Sequence, residues 1–175
     1  MIRDNKLIEK KALDIKLLLV DFDGVLADKT FYLLENGEEM KKISSSDFLG
    51  VQRLKELTDI EIGLLGDDEN PFIRHVASKM NVKAYYQHSE QKIMVLNKLL
   101  PDQNIEAHNI AFIGDEITDL QLMNRVGLSA CPLDAAYEAR NAADYVCNTC
   151  GGNGVIREFS DLLITIKQKH ECLVD

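Results

Sequence analysis

The sequence predicts an α/β fold: a Rossmann-like parallel sheet flanked by helices, with a β-hairpin inserted after the first strand. Two observations carry the sheet. Short aliphatic or β-branched runs alternate with amphipathic stretches, and the runs are mostly continuously apolar, as strands covered on both faces must be. A third carries the hairpin: Asn36-Gly37, a pair that favours tight reversal, separates Thr30 to Leu34 from Glu39 to Ile43. At 175 residues, with 46% hydrophobic and 28% charged residues and only 3 Pro, the chain reads as one globular domain, 1–175, with its hairpin at about 30–44.

The expected strands are Ile15 to Val20, Ile60 to Leu65, Val82 to Tyr86, Asn109 to Ile113, Gly127 to Ala130 and a short one at Tyr145 to Val146. Between them, capping residues mark helix starts. These are Ser46 or Asp47 before Val51 and Leu54, Asn70 with Pro71 at the first helical position, Ser89 before Ile93 and Leu96, and Asp134 before Ala135. A last helix is expected over about Val155 to His170, where Ile156, Phe159, Leu162, Leu163 and Ile166 recur at helical spacing and make a docking face.

Charge and cysteine content narrow the function. Twenty Lys and Arg against 29 Asp and Glu give a net charge of −9, which repels nucleic acid and anionic membranes. Residues 1–16 are polar and charged, and the apolar run Leu17 to Val20 is too short for a signal or spanning segment, so a cytoplasmic location is expected. Cys147 and Cys150 form one C-x-x-C, but no second pair at zinc-ligand spacing follows; small buried thiols are the reading preferred over a zinc site.

Chemistry concentrates at two strand ends. Val20-Asp21-Phe22-Asp23-Gly24 places two carboxylates on the same side of an extended chain, where an apolar strand gives way to a loop. Ligands bind at the carboxyl ends of open parallel sheets, and Gly24 lets the chain turn and bring its N–H toward a ligand. A second cluster, Gly114-Asp115-Glu116-Ile117-Thr118-Asp119, follows the strand ending at Ile113; Thr118 or Asp119 alone would also serve as a helix cap. Carboxylates that converge without compensating Arg repel one another unless a hard cation sits between them, and an oxygen-only ligand set suits Mg²⁺.

Asp21 to Val25, Lys92 and the acidic 114–119 segment resemble the haloacid dehalogenase superfamily of phosphoryl-transfer enzymes. Gly37-Glu38-Glu39 with Lys41, Asp47 with Gly50, Tyr86-Gln87, Val126 to Ser129, Ala143 to Val146 and Gly151 to Glu158 resemble its capless branch. That branch holds 3-deoxy-manno-octulosonate 8-phosphate phosphatases and sialic-acid-type 9-phosphate phosphatases. The resemblance implies a phosphatase acting on an eight- or nine-carbon 2-keto-3-deoxy sugar acid phosphate. In it Asp21 is the nucleophile, Asp23 the acid and then base, and Lys92 the fixed positive charge. Mg²⁺ would be held by Asp21, Asp115 and the Asp23 carbonyl, while Gly24, Asp47, Gly66 and Asp67 are the expected substrate contacts.

The chain departs from that branch at three places. Gly66-Asp67-Asp68-Glu69 stands where the family carries a phosphate-binding Ser or Thr followed by Gly and a cationic residue; Ser44 to Ser46 precede Asp47 where an Arg is common; and Asn153 replaces another frequent Arg. The first departure supports an alternative, a catalytically weakened domain serving oligomerisation or regulation in acidic-sugar biosynthesis. A phospho-acceptor receiver module is disfavoured because its first strand ends in adjacent acids, not D-x-D-G. Neither the stretch before the hairpin nor the one after Gly66 can hold a cap domain, so a site made of strand-end loops would stand open to water. Phe31, Tyr32, Leu33, Leu34 and Ile43 give the hairpin more apolar surface than an isolated ribbon keeps exposed, which predicts an oligomer. The resemblance implies a homotetramer closed by neighbouring copies.

Overall fold

The computed structural model describes residues 5–67, 71–87 and 92–174. Six parallel strands form the main sheet: β1 (Leu17–Asp21), β4 (Glu61–Asp67), β5 (Lys83–Gln87), β6 (Ile110–Ile113), β7 (Leu128–Cys131) and β8 (Tyr145–Val146), in the order β5-β4-β1-β6-β7-β8. The hairpin strands β2 (Tyr32–Leu33) and β3 (Glu39–Met40) make a separate antiparallel pair. Among the described residues seven α-helices accompany the sheet: α1 (Asn5–Leu13), α2 (Ser45–Leu57), α3 (Pro71–Met80), α4 (Lys92–Gln103), α5 (Leu120–Met123), α6 (Tyr137–Ala142) and α7 (Val155–Val174).

Every residue of β1 is buried, and its side chains divide between two cores according to the period of two that a strand imposes. Leu18 and Val20 join residues of α1, α2, α3 and α7 on one face, including Ile8, Leu54, Ile73 and Phe159. Leu17 and Leu19 join Leu96, Phe112, Leu122 and Ala139 on the other. The chain runs outward from β1 through β4 to β5, then returns to β6 on β1's other side. That reversal opens a crevice between the carboxyl ends of β1 and β6, where Asp21 and Asp115 emerge.

All six expected strands form, each within two residues of the expected bounds, and α1 adds a helix that the sequence reading did not include. The hairpin is shorter than its apolar runs suggest. Thr30 turns its N–H and hydroxyl onto Asp28 Oδ1 at 3.1 and 2.5 Å, and Ile43 pairs with Ala27, so only two residues on each side remain in the ladder. Its turn closes as expected, with Gly37 at φ +83°.

Two helix starts differ from the expected ones. Ser44, not Ser46 or Asp47, caps α2 by accepting from the Ser46 N–H at 3.2 Å. Asp134 does not cap α6, which begins at Tyr137; its Oδ1 accepts the Gly151 N–H at 2.9 Å and is spent on a loop. Asn70 and Ser89, the other expected caps, lie outside the described residues, as do Asp68 and Glu69. Among the described residues no helix is long and apolar enough to cross a membrane.

Candidate active site

Asp21 closes β1 and Lys92 opens α4, and the two meet at the crevice with Nζ 2.8 Å from Oδ2. Lys92 also donates to Asp119 Oδ1. Asp119, buried at the end of the helical turn 117–119, accepts the N–H groups of Asp115 and Glu116 on its other oxygen at 2.8 and 3.0 Å. It therefore folds the acidic segment back on itself and fixes the lysine. The sequence reads Asp119 only as a possible cap; the Asp–x₃–Asp spacing from Asp115, which lets the second acid reach the first one's N–H, is a signal that could have placed it here.

Carboxylate oxygens of Asp21, Asp115 and Asp119 lie within 4.8 Å of one another, and all three residues are buried. Both Asp119 oxygens are engaged by donors, whereas neither Asp115 oxygen receives a hydrogen bond. Lys29, from the loop after β1, stands 2.7 Å from Asp115 Oδ2 as an ion pair without hydrogen-bond direction, and reaches Glu116 at the same distance. Buried oxygens with lone pairs to spare, converging in threes, suit a hard divalent cation.

The electrostatics agree. Burial pushes the Asp21 carboxyl up, the Lys92 ammonium pulls it down, and Asp119 and Asp115 push it up again, leaving it at about 8. Burial likewise raises Asp115 against the lowering by Lys29. Burial draws Lys92 down, but Asp21 and Asp119 outweigh this and hold it above its ordinary value. From its reference value Asp21 is ionised at neutral pH, but the buried pocket opposes that charge, which a cation between the carboxylates would restore.

Asp23 is the exposed member of the D-x-D pair. Its side chain is 52% exposed and accepts from Lys41, the residue that follows β3. Gly24 turns at φ +91°, and a Cβ there would overlap the Asp115 carboxylate, so glycine is required by the approach of the second acidic segment. Its N–H, expected to face a ligand, instead donates to Ala27 O at 2.9 Å. The 151–154 loop packs directly on this turn. A side chain at Gly151 would strike Gly24 O, and the Gly152 N–H donates to Val25 O at 2.9 Å. Glu158 anchors the loop by accepting from Asn148 N, Thr149 N and Tyr145 OH.

The remaining expected contacts are dispersed. Gly66 sits in β4, where a side chain would meet only the movable δ-methyl of Ile73 at close range; Asp67 is the strand's last residue. Asp47 is not brought to the cluster. It is fully buried and its Oδ1 accepts the Arg157 N–H at 3.1 Å in the first turn of α7, so the expected substrate contact is corrected to a tie between helices.

Residues 28–159 match the haloacid dehalogenase-like hydrolase family. The 3-deoxy-D-manno-octulosonate 8-phosphate phosphatase of Escherichia coli K12 is 34% identical over 159 residues, 91% of this chain and 84% of that protein. The enzyme of the same name from Moraxella catarrhalis, solved with magnesium, phosphate and KDO, superposes with a TM-score of 0.89 at 26% identity, covering 98% of each chain. A cobalt-bound Haemophilus influenzae relative is 31% identical, with a TM-score of 0.83 over 91% of this chain and 92% of that one. The chain belongs to the haloacid dehalogenase-like hydrolases and is a phosphatase of the octulosonate phosphatase branch.

Proposed function

We propose that this member of the haloacid dehalogenase-like hydrolases uses Mg²⁺ to hydrolyse the phosphate monoester of an eight-carbon 2-keto-3-deoxy sugar acid, with nine-carbon homologues as the second class to test. The observation that carries the reading is the buried meeting of Asp21, Asp115, Asp119 and Lys92 at the β1–β6 crevice. The eight-carbon preference rests on the relatives, whose names specify 3-deoxy-D-manno-octulosonate 8-phosphate.

Mg²⁺ held by Asp21, Asp115 and the Asp23 carbonyl would offset the repulsion between an anionic nucleophile and a dianionic phosphate. An Asp21 carboxylate oxygen attacks phosphorus, and the bond from phosphorus to the sugar oxygen breaks. Asp23 gives its proton to the departing oxygen. It then takes a proton from a water that attacks the aspartyl-phosphate, releasing inorganic phosphate and restoring Asp21. Lys92, pinned between Asp21 and Asp119, presents its ammonium to the transferring phosphoryl oxygens. Asp119 acts through Lys92 and the 115–116 backbone rather than on substrate.

Gly66 favours a second reading, a weakened domain that assembles or regulates, because no hydroxyl backs the phosphate at that strand end. Phosphate release from 3-deoxy-D-manno-octulosonate 8-phosphate and from nine-carbon 9-phosphates, with Mg²⁺ and with EDTA, separates the two. Magnesium-dependent turnover of the sugar acid phosphates supports the first reading; its absence across the panel leaves the second. Self-association through the hairpin, as a tetramer, belongs to the same proposal and would supply cover over the site.

A further inference from the structure

Lys41 has no part in the chemistry described above, yet it lies against that chemistry. It leaves the short strand β3 and donates to Asp23 Oδ1 across the loop that joins β1 to the hairpin. Its side chain is only 14% exposed although its partner is 52% exposed. The ammonium is boxed in by two aromatic faces, 5.7 Å from the ring centre of Phe22 and 5.9 Å from that of Phe72. Phe22 is itself 1% exposed and separates Asp21 from Asp23 in sequence, and Phe72 belongs to the first turn of α3. The cation is thus fixed by two elements of the main fold, and cation–π attraction strengthens as water is excluded.

Asp21 needs no such help, because β1 and Lys92 hold it. Asp23 stands beyond the strand with its side chain 52% exposed, and Lys41 donates to its Oδ1. The bridge between Ala27 and Ile43 draws the end of the hairpin back toward the catalytic turn and delivers Lys41 to it. We propose that Lys41 is a positioning residue: it holds the Asp23 carboxyl in the orientation from which a proton reaches the leaving-group oxygen. The hairpin thereby becomes part of the proton-transfer apparatus rather than a covering element alone. The proposal rests on the role given to Asp23 above.

The test compares two phosphate monoesters. 3-Deoxy-D-manno-octulosonate 8-phosphate releases an alkoxide that needs a proton, whereas p-nitrophenyl phosphate releases an anion stable at neutral pH. With Mg²⁺ saturating, Lys41→Met should lower kcat/KM about 100-fold on the sugar phosphate and less than about fivefold on the aryl ester, within the range of one acid–base contribution. KM should stay nearly constant, and Lys41→Arg should recover most of the loss. An equal fall on both esters, a loss confined to KM, or no rescue by a folded Lys41→Arg protein would overturn the proposal. Asp23→Asn serves as the reference. If it shows no such difference between esters, the role of Asp23 itself fails; if it does and Lys41→Met does not, only the inference about Lys41 fails.

Discussion

The carboxyl end of the sheet and the hairpin beside it are built on opposite terms. Asp21, Lys92, Asp115 and Asp119 are all buried and are carried by elements packed into the cores on the two faces of the sheet. The hairpin pairs only two residues on each side and leaves Phe31, Tyr32, Leu33 and Met40 49–66% exposed. Charges that must meet a phosphate within a fraction of an ångström stand where packing fixes them. The hairpin, by contrast, is a ribbon too small to be stable alone. The buried site and the exposed ribbon can thus each be attacked without the other.

The largest effect should come from Asp21→Asn. It removes the attacking oxygen while preserving shape, so turnover should fall roughly 10⁴-fold or more, as with other covalent nucleophiles. Folding should survive, since the substitution also removes a charge that burial opposes. Wild-type turnover in a folded Asp21→Asn protein, measured by phosphate release with Mg²⁺, would overturn the mechanism.

Metal binding gives the next effect. EDTA should abolish turnover and Mg²⁺ restore it. Mg²⁺ at about 100 times its dissociation constant should stabilise the wild type by about 2.7 kcal/mol. Asp115→Asn should lose most of that stabilisation, because it neutralises the carboxylate whose oxygens receive no hydrogen bond. Calorimetry showing the same Mg²⁺ affinity in both proteins would remove Asp115 from the ligand set. Without metal, Asp115→Asn should melt close to wild type, since it relieves burial of a charge beside Asp119 but gives up the Lys29 ion pair.

The rigid half was legible in the sequence and the exposed half less so, for a physical reason. A fully buried strand announces itself as a continuous apolar run, and Leu17 to Val20 ending in D-x-D-G fixes both the strand and where its acids point. Asp119 was harder to place because a carboxylate before a helix reads equally as a cap. Its burial against Lys92 depends on α4 arriving from elsewhere in the chain. Asp47 misled for the converse reason: its resemblance to a substrate contact carried no sign that Ser44 would cap α2 and leave it to α7. The hairpin's turn was written in Asn36-Gly37, but the length of its ladder was decided by Asp28 capturing Thr30. Lys41 meets Asp23 only because that ladder is short and the chain crosses back at Ile43.

A smaller loss is expected from the hairpin. Phe31→Glu with Leu33→Glu places two charges on side chains 57% and 66% exposed, neither of which is in the core. The isolated fold should be nearly unaffected, whereas an assembly that buries this ribbon should dissociate. Light scattering should show smaller particles, and activity on a sugar acid phosphate should fall about tenfold as cover is lost, with Mg²⁺ affinity unchanged. An unchanged particle size would place the interface elsewhere. A wild-type monomer with full activity at assay concentration would remove the need for cover altogether.

The last effect falls on folding rather than on turnover and concerns Asp47, which stands in α2 where the hairpin rejoins the main fold. Burial pushes its carboxyl up to about 6, only partly opposed by the Arg157 N–H and neighbouring backbone donors at the start of α7. Its unfolded value is about 4, so between about pH 4 and 6 the folded chain binds the extra proton. A raised acid contributes stability that is complete below the unfolded pKa and is lost as pH rises through the folded one. Asp47 should therefore weaken the fold on going from about pH 4 to 7, by no more than about 2–3 kcal/mol. Asp47→Asn keeps an acceptor for the Arg157 N–H and cannot ionise. With EDTA present to keep the metal site constant, urea unfolding of both proteins at about pH 4 and 7 should show the variant gaining on the wild type as pH rises. The pH dependence of that difference isolates ionisation from any fixed cost of the new amide, because Asp21 and Asp115 titrate in both proteins. A difference that stays constant with pH would mean that the donors at the start of α7 fully compensate the buried charge. Asp47 would then tie the two helices together at no electrostatic cost.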